Sequence, residues 1–323
     1  MVMNSTYLLY YSTMIIGVIM CACSNNWIMI WIGLEISLMS FMPVMVSSNL
    51  LSSECMMKYF IIQSMSSSIL MLGLIFMIMN NNFWNFMLIV SLILKIGMSP
   101  FHNWVLGVIE GLTFNSIFIL LSIMKISPLI VFSYVNQVVT IPIILSLVVG
   151  ATMGLNQNSF RKILGYSSIF NIAFICSCIS EISYWIMYMI IYMIMLWCVI
   201  YFINDLNIFY LNQIMINEYD LKIKISFWIL MASFGGIPPM LGFLSKLIVL
   251  EYVVFTNQLV LLFFMIVFSL IVIFYYTRCS YLCIMMSSVM FKWNLISLST
   301  PSLLVIFINL VSVTFLIMFK FLT

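Results

Sequence analysis

Charge is what this chain has least of. Asp, Glu, Lys and Arg make up 6% of its 323 residues, against roughly 25% in an ordinary soluble domain. That scarcity excludes soluble enzymes, nucleic-acid binders and disordered chains, all of which need polar surface. Eleven Lys+Arg against eight Asp+Glu leave a net charge of +3, too small to imply an acidic partner. There is no phosphate-binding loop of the GxGxxG or GxxxxGK(S/T) kind, so no nucleotide binds by those routes. The eight cysteines include no CxxC pair: Cys21 and Cys23, like Cys176 and Cys178, flank one residue, and Cys279 and Cys283 are four positions apart. An iron–sulfur cluster needs four converging thiolates, so these read as small apolar filler. No cofactor and no metal is expected in this chain, and any redox chemistry must happen elsewhere.

Apolar length is what the chain has in excess. Hydrophobic residues make up 65% of it and mean hydropathy is +1.26. At ~20 residues per membrane-crossing helix, this suffices for about eleven helices with short connections. The expected fold is all-α and polytopic. Apolar runs bounded by polar residues or turn formers place spans near 5–23, 27–46, 58–79, 84–106, 112–133, 138–155, 163–180, 184–203, 226–254, 258–277 and 301–321. The seventh is short and carries Ser167, Ser168 and Asn171. The ninth is too long and is interrupted by Gly235-Gly236 and Pro238-Pro239. Only the connections Asn204 to Ile225 and Arg278 to Thr300 are sizeable, which leaves no separate soluble domain.

Basic residues orient this arrangement. Loops on the N-terminal side hold Lys58, Arg161, Lys162, Lys222, Lys224, Arg278 and Lys292, whereas the opposite side holds only Lys320. By the positive-inside rule the N-terminus faces the compartment of synthesis and the C-terminus the other side. Composition suggests which compartment that is. Ala, the best helix former, occurs four times, while Met reaches 30 and Phe 27. Helix physics does not disfavour Ala; AT-rich coding with an additional Met codon, as in animal mitochondrial genomes, does. Met1 to Tyr11 show no basic region, Arg-rich amphipathic stretch or cleavage site, as expected of a protein inserted where it is made.

Four ionisable residues fall inside spans: Glu35 in the second, Lys95 in the fourth, Lys125 in the fifth and Lys246 in the ninth. Each costs roughly 2.5–3.5 kcal/mol at mid-membrane on insertion scales. The bland explanation is that they pair or snorkel and merely fix packing. Snorkelling fails for Glu35, Lys95 and Lys125, which lie about two turns or more from their span ends; Lys246 stands nearer an end. The functional explanation is a proton path, because a lysine out of water can gain and lose its proton as neighbouring charge changes. His102, the sole histidine, follows Lys95 by seven residues, two turns on and on the same face of a continuous helix. Gly97-Met98-Ser99-Pro100 stands between them, so this span is expected to be interrupted beside its lysine. The ninth span repeats the combination. Interrupted helices in corresponding positions of two halves point to an ion site. The fourth and ninth spans are five apart, so the second copy runs the opposite way, giving two inverted five-helix repeats: 1–135 and 136–280, with 281–323 as connecting loop and C-terminal helix.

These residues carry a resemblance. The stretch Lys95-Ile-Gly-Met-Ser-Pro-Phe-His-Asn-Trp104, then Glu110-Gly-Leu112 and Lys125-Ile-Ser-Pro-Leu129, resembles the NADH-ubiquinone oxidoreductase chain 2 family of mitochondrial respiratory complex I, in an invertebrate style. Supporting segments are Gly33-Leu-Glu-Ile36, Leu155-Asn-Gln-Asn-Ser-Phe-Arg-Lys162, Tyr166-Ser-Ser-Ile169 and Gly235-Gly-Ile-Pro-Pro-Met-Leu-Gly-Phe243. The similarity extends over essentially the whole chain and is weak after Arg278. It implies an antiporter-like, proton-pumping membrane-arm subunit in the mitochondrial inner membrane, with eleven helices where related forms have fourteen. Glu35, Lys95, Lys125 and Lys246 would form its charged axis, with His102 beside it. The resemblance further implies that NADH, FMN, iron–sulfur clusters and ubiquinone belong to other subunits. Partners would be other membrane-arm subunits and membrane lipids, cardiolipin among them. Three departures stand out: Phe170-Asn171 where relatives usually have Asn-His, Met124 for a common Gln, and Ser245 for a common Pro.

Two other functions fit the composition, a stand-alone cation/proton antiporter and a non-pumping membrane scaffold. The mitochondrial composition favours the complex I subunit over the first, and the cost of four buried charges disfavours the second. The positive-inside assignment predicts that the segment 204–225 faces the matrix. Protease added to sealed mitoplasts should leave it intact and cut it only once the inner membrane is opened; cleavage in sealed mitoplasts would reverse the orientation.

Overall fold

The computed structural model describes residues 5–47, 49–79, 83–135, 139–216, 221–238 and 240–285. The expected eleventh span at 301–321, most of the connection after Arg278, Lys292, Lys320, Glu218, Asp220 and Pro239 lie outside the described residues. The described chain is all-helical apart from one isolated bridge between Ser159 and Tyr210. In hydrocarbon each backbone N–H and C=O must be satisfied within the protein, and a helix does this by itself. The chain divides into two compact units. The first comprises the described residues up to Ser146 with Ile179–Ile182; the second comprises Leu147–Cys178 and the described residues from Ser183 on.

The first unit holds α1 (Ser5–Cys23), α2 (Trp27–Met45), α3 (Leu50–Ile78), α4 (Trp84–Ile96), α5 (Asn103–Ile109), α6 (Phe114–Leu121), α7 (Ile123–Val135) and the start of α8 (Thr140–Leu155). Within it α1 packs on α2, α3 on α4, and α7 against α1, α2 and α4. Gly17 and Gly33 let α1 and α2 touch: a Cβ at Gly17 would stand 2.8 Å from the Gly33 carbonyl oxygen, the close approach that small residues permit between membrane helices. The second unit holds the rest of α8, then α9 (Phe160–Ser177), α10 (Ile182–Asp205), α11 (Leu211–Ile216), α12 (Leu221–Gly235), α13 (Leu241–Phe255) and α14 (Leu259–Met285). Here α14 packs against α11, α12 and α13, and α13 against α9.

Six stretches among the described residues are long and apolar enough to cross a membrane: Ser5–Cys23, Trp27–Met45, Leu50–Ile78, Phe114–Val135, Ile182–Asp205 and Leu259–Tyr281. Trp84–Ile96, Thr140–Leu155 and Ile223–Gly235 are apolar but shorter. The helix at the expected third span begins at Leu50, not 58, so Lys58 is an exposed helical residue and no loop residue. Lys222 and Lys224, expected in a loop, stand on α12, where Lys224 is buried. The expected seventh span corresponds to α9, which is buried along nearly its whole length. A helix covered on every side has no need of an apolar stripe, and this explains its modest hydropathy. Its serines satisfy themselves: Ser167 and Ser168 donate to the carbonyls of Leu164 and Gly165 at 2.9 and 2.7 Å, as Ser37, Ser66 and Ser91 do to Leu34, Gln63 and Leu88 in the first unit.

Three helix interruptions shape the interior. Residues 97–102 separate α4 from α5, and 236–240 separate α12 from α13. Both begin with a glycine in the left-handed region, Gly97 at φ +77° and Gly236 at φ +84°, the usual device for stopping a helix. Their caps match. The N–H groups of Gly97 and Met98 both donate to Ile93 O (3.0 and 3.1 Å), and those of Gly236 and Ile237 both donate to Ala232 O (3.0 Å each). The third interruption, at Ser122 between α6 and α7, divides what hydropathy reads as one span. No Gly or Pro stands there. The Ser122 hydroxyl takes the Phe118 carbonyl at 2.5 Å, and Lys125 N reaches the Ser122 carbonyl at 3.2 Å. Side-chain competition for a helix carbonyl is a known cause of such a turn.

The glycine requirement at 97 is testable. A Cβ there would lie 2.3 Å from Val105 Cγ2 in addition to the left-handed backbone. Gly97→Ala should therefore cost about 1–2 kcal/mol from the backbone alone and more as Val105 yields. Gly107→Ala, whose added methyl meets nothing within 4 Å, should be neutral or slightly stabilising. Thermal denaturation of the detergent-solubilised protein compares them, and equal effects would contradict the assignment.

Candidate functional site

Lys95 occupies the last turn of α4, two residues before the Gly97 break. A helix end leaves carbonyls without helical donors, and here side chains take them. Trp104 Nε1 donates to Leu94 O at 3.1 Å and Gln63 Nε2 to Lys95 O at 3.2 Å. With the carbonyls occupied, the Lys95 ammonium faces Glu35 of α2, Nζ to Oε1 3.9 Å. This is an ion pair at the edge of contact and too long for a hydrogen bond. The Lys95 side chain is 4% exposed and that of Glu35 22%. Glu35 also borders an open apolar groove of about 450 Å³ with Tyr10, Thr13, Trp31 and Met39. The carboxylate thus stands between a buried ammonium and the outer face of its unit.

Lys125, three residues past the Ser122 turn on α7, is buried. Lys95 and Lys125 line one cavity of about 30 Å³, together with Ser37, Tyr59, Gln63 and Ser127. That is room for about two water molecules. Lys95 and Lys125 therefore share a chamber of molecular dimensions, and Glu35 stands beside Lys95.

In the second unit Lys246 lies six residues into α13 and is buried. Its Nζ donates to Gly235 O, the last residue of α12, at 2.6 Å, and sits 5.6 Å from the centroid of the Phe170 ring. A helix C-terminus and an aromatic face both favour a cation. Gly236 makes the approach possible, since a Cβ there would be 2.9 Å from Lys246 Nζ. Lys246 lines a cavity of about 20 Å³ with Asn171, Tyr188, Tyr192, Ser233 and Ser245, enough for one water. Tyr188 Oη donates to Asn171 Oδ1 at 2.8 Å.

Glu35, Lys95 and Lys125 are thus brought together within the first unit, and Lys246 has a separate cavity in the second. His102 does not share a helix face with Lys95. Its alignment with Lys95 presumes a continuous helix, but residues 97–102 are not helical and His102 is the N-cap of α5. It is half-buried and does not line the Lys95 cavity. Sequence inspection missed Gln63 and Trp104, which have no local signature. It also missed Tyr188 and Tyr192, although their spacing of four puts both on one face of α10. The departures Met124, Asn171 and Ser245 all line one cavity or the other.

Comparison with known proteins places this geometry. A family model described as NADH:quinone oxidoreductase/Mrp antiporter, transmembrane, matches residues 24–86 and 78–273. The chain is 36% identical over 296 residues to NADH-ubiquinone oxidoreductase chain 2 of Anopheles gambiae, covering 87% of each. It is 37% identical over 324 residues to that of Aedes aegypti, covering 94% of each. Among solved structures, a chain of respiratory complex I from Thermus thermophilus with bound aureothin superposes at a TM-score of 0.83 and 16% identity. The match covers 97% of this chain and 78% of that one; at such identity the likeness is one of fold.

The Glu35–Lys95 pair makes a prediction about stability. Glu35→Gln or Lys95→Met alone leaves a charge without its partner and should destabilise by about 1–3 kcal/mol, less than for a fully buried pair because Glu35 is partly exposed. The double variant should lose less than the sum, with a coupling of about 0.5–3 kcal/mol. Thermal denaturation in detergent supplies the cycle. Strictly additive losses would mean the two act independently and would turn attention to Lys125 as the partner of Lys95.

Proposed function

The chain belongs to the NADH-ubiquinone oxidoreductase chain 2 family, and from that premise we propose how its residues move protons and where it sits. It is a multi-pass, proton-translocating membrane-arm subunit of complex I and associates with other membrane-arm subunits. We assign translocation to Glu35, Lys95, Lys125 and Lys246. The observation that carries this is the shared chamber: Lys95 and Lys125 line one cavity of about 30 Å³ while Glu35 stands 3.9 Å from Lys95. Glu35 and Lys95 act as a coupled pair. When charge on or beside Glu35 changes, the Lys95 proton is released to water in the chamber, and Lys125 receives it when its amine is neutral, its own proton having already passed on. Water in so small a chamber passes a proton without admitting a hydrated cation.

The architecture proposed is eleven membrane-crossing helices with two inverted five-helix repeats, 1–135 and 136–280, followed by 281–323. The matching glycine caps at 97 and 236 support it. The membrane is the mitochondrial inner membrane, with the N-terminus in the matrix and the C-terminus in the intermembrane space; the basic-residue asymmetry supports this. NADH, FMN, iron–sulfur clusters and ubiquinone are assigned to other subunits, and lipids such as cardiolipin to the outer faces of the helices. His102 is assigned at most a place beside the path, since it does not line the chamber.

Replacing Lys246 with Met should lower the protons moved per NADH, or slow coupled turnover, while the complex still assembles. Proton uptake by sealed vesicles containing the reconstituted complex measures it. Unchanged stoichiometry and turnover, with normal assembly, would leave the buried charges as packing devices and restore the scaffold explanation.

A further inference from the structure

Among the described residues no carboxylate lines the Lys246 cavity, in contrast to Lys95 with Glu35 beside it. Apart from Lys246, the polar side chains of its lining are hydroxyls and one amide, set among Ile191, Met195 and Phe234. Tyr192, one turn beyond Tyr188 on α10, lines that cavity and is 5% exposed. No hydrogen bond of ordinary geometry holds its Oη among the described residues, and the hydroxyl beside it is that of Ser168 on α9. A buried phenol normally finds a partner, and Ser168 and the cavity are what this one has within reach. The Ser168 hydroxyl already donates to Gly165 O at 2.7 Å, so it meets Tyr192 with lone pairs. Tyr276 of α14 is a further neighbour of Tyr192 and lies beside Ser167. Asn171, held by Tyr188, forms the neighbouring wall.

We propose that the Tyr192 hydroxyl and one water in this cavity form the relay through which Lys246 exchanges its proton with the buried serine–tyrosine row of α9 and α14. The proposal rests on Lys246 being a proton carrier, as inferred above. In the step, an N–H bond breaks at Lys246 and its proton joins the water oxygen. That water gives a different proton to Tyr192 Oη, and Tyr192 gives its own hydroxyl proton onward along the row, with solvent water at the far end as the final acceptor. Each intervening oxygen ends with as many protons as it began with. No tyrosinate accumulates, and the lysine is left neutral until a proton returns by the reverse route. A neutral hydroxyl thus does what a carboxylate does beside Lys95: it gives the ammonium's proton somewhere to go, in a space too small for a second charged side chain.

The test uses the assembled complex in sealed vesicles. Tyr192→Phe removes one oxygen and keeps the ring, and should slow NADH-driven proton uptake about tenfold or more, the scale of a lost proton-transfer group. Asn171→His added to it sets an imidazole on the same cavity, one turn of α9 from Ser168, and should restore most of the rate. A structural defect at Tyr192 would not be repaired in this way. If Tyr192→Phe does not assemble, Ser168→Ala removes the next hydroxyl and should slow uptake similarly. Normal uptake in Tyr192→Phe with impaired uptake in Lys246→Met would overturn the relay and leave the role of Lys246 standing. Normal uptake in both would overturn the role of Lys246 and the relay with it. A loss that Asn171→His does not repair would also overturn the relay.

Discussion

An ammonium group in hydrocarbon costs roughly 2.5–3.5 kcal/mol even on the lenient insertion scales, and among the described residues Lys95, Lys125 and Lys246 are buried within apolar helices, with Lys224 buried near the start of α12. Lys95 stands two residues before Gly97, Lys125 three after Ser122, and Lys246 donates to the Gly235 carbonyl at the break that Gly236 opens. The association has a physical cause. A helix stopped inside a protein exposes carbonyl oxygens, and the end of its dipole carries partial negative charge. A broken helix therefore stabilises a nearby cation, and a nearby cation relieves a broken helix.

The two glycine breaks resolve this need differently. At Gly97 the freed carbonyls are taken by Trp104 and Gln63, which leaves Lys95 available to Glu35. At Gly236 the lysine takes the carbonyl itself. Local backbone geometry is the same at both sites, yet Lys95 precedes its glycine by two residues and Lys246 follows its own by ten. The first arrangement suits an ammonium that answers to a neighbouring carboxylate. The second suits one anchored by backbone, whose proton exchange depends on the hydroxyls around it. Both cavities hold only a water or two, and that restriction favours protons over larger cations.

Serine is the other material of this interior. Hydroxyls on α2, α3, α4 and α9 donate to carbonyls three residues back in their own helices. Such bonds leave no unsatisfied donor in hydrocarbon, while the oxygen's lone pairs remain able to accept. Polar residues can therefore line a path through an apolar chain at little cost, and α9 can be rich in them because it is buried along its length.

Hydropathy and helix-stop chemistry are local, and what depends on them was legible in the residues alone. The positions of most helices, the interruptions at Gly97 and Gly236, and the identity of the four costly ionisable residues all follow from stretches of about twenty residues. The Ser122 turn was not legible, because it depends on a serine choosing a carbonyl over solvent, a choice that neighbours in space decide. The alignment of His102 with Lys95 failed for a related reason, since a face of a helix exists only while the helix continues. The Glu35–Lys95 distance, the cavity shared by Lys95 and Lys125, and the tyrosines around Lys246 join residues that lie far apart in the chain. Such contacts depend on how helices pack, and packing among helices that are apolar on nearly every side leaves no periodic trace for a sequence to carry.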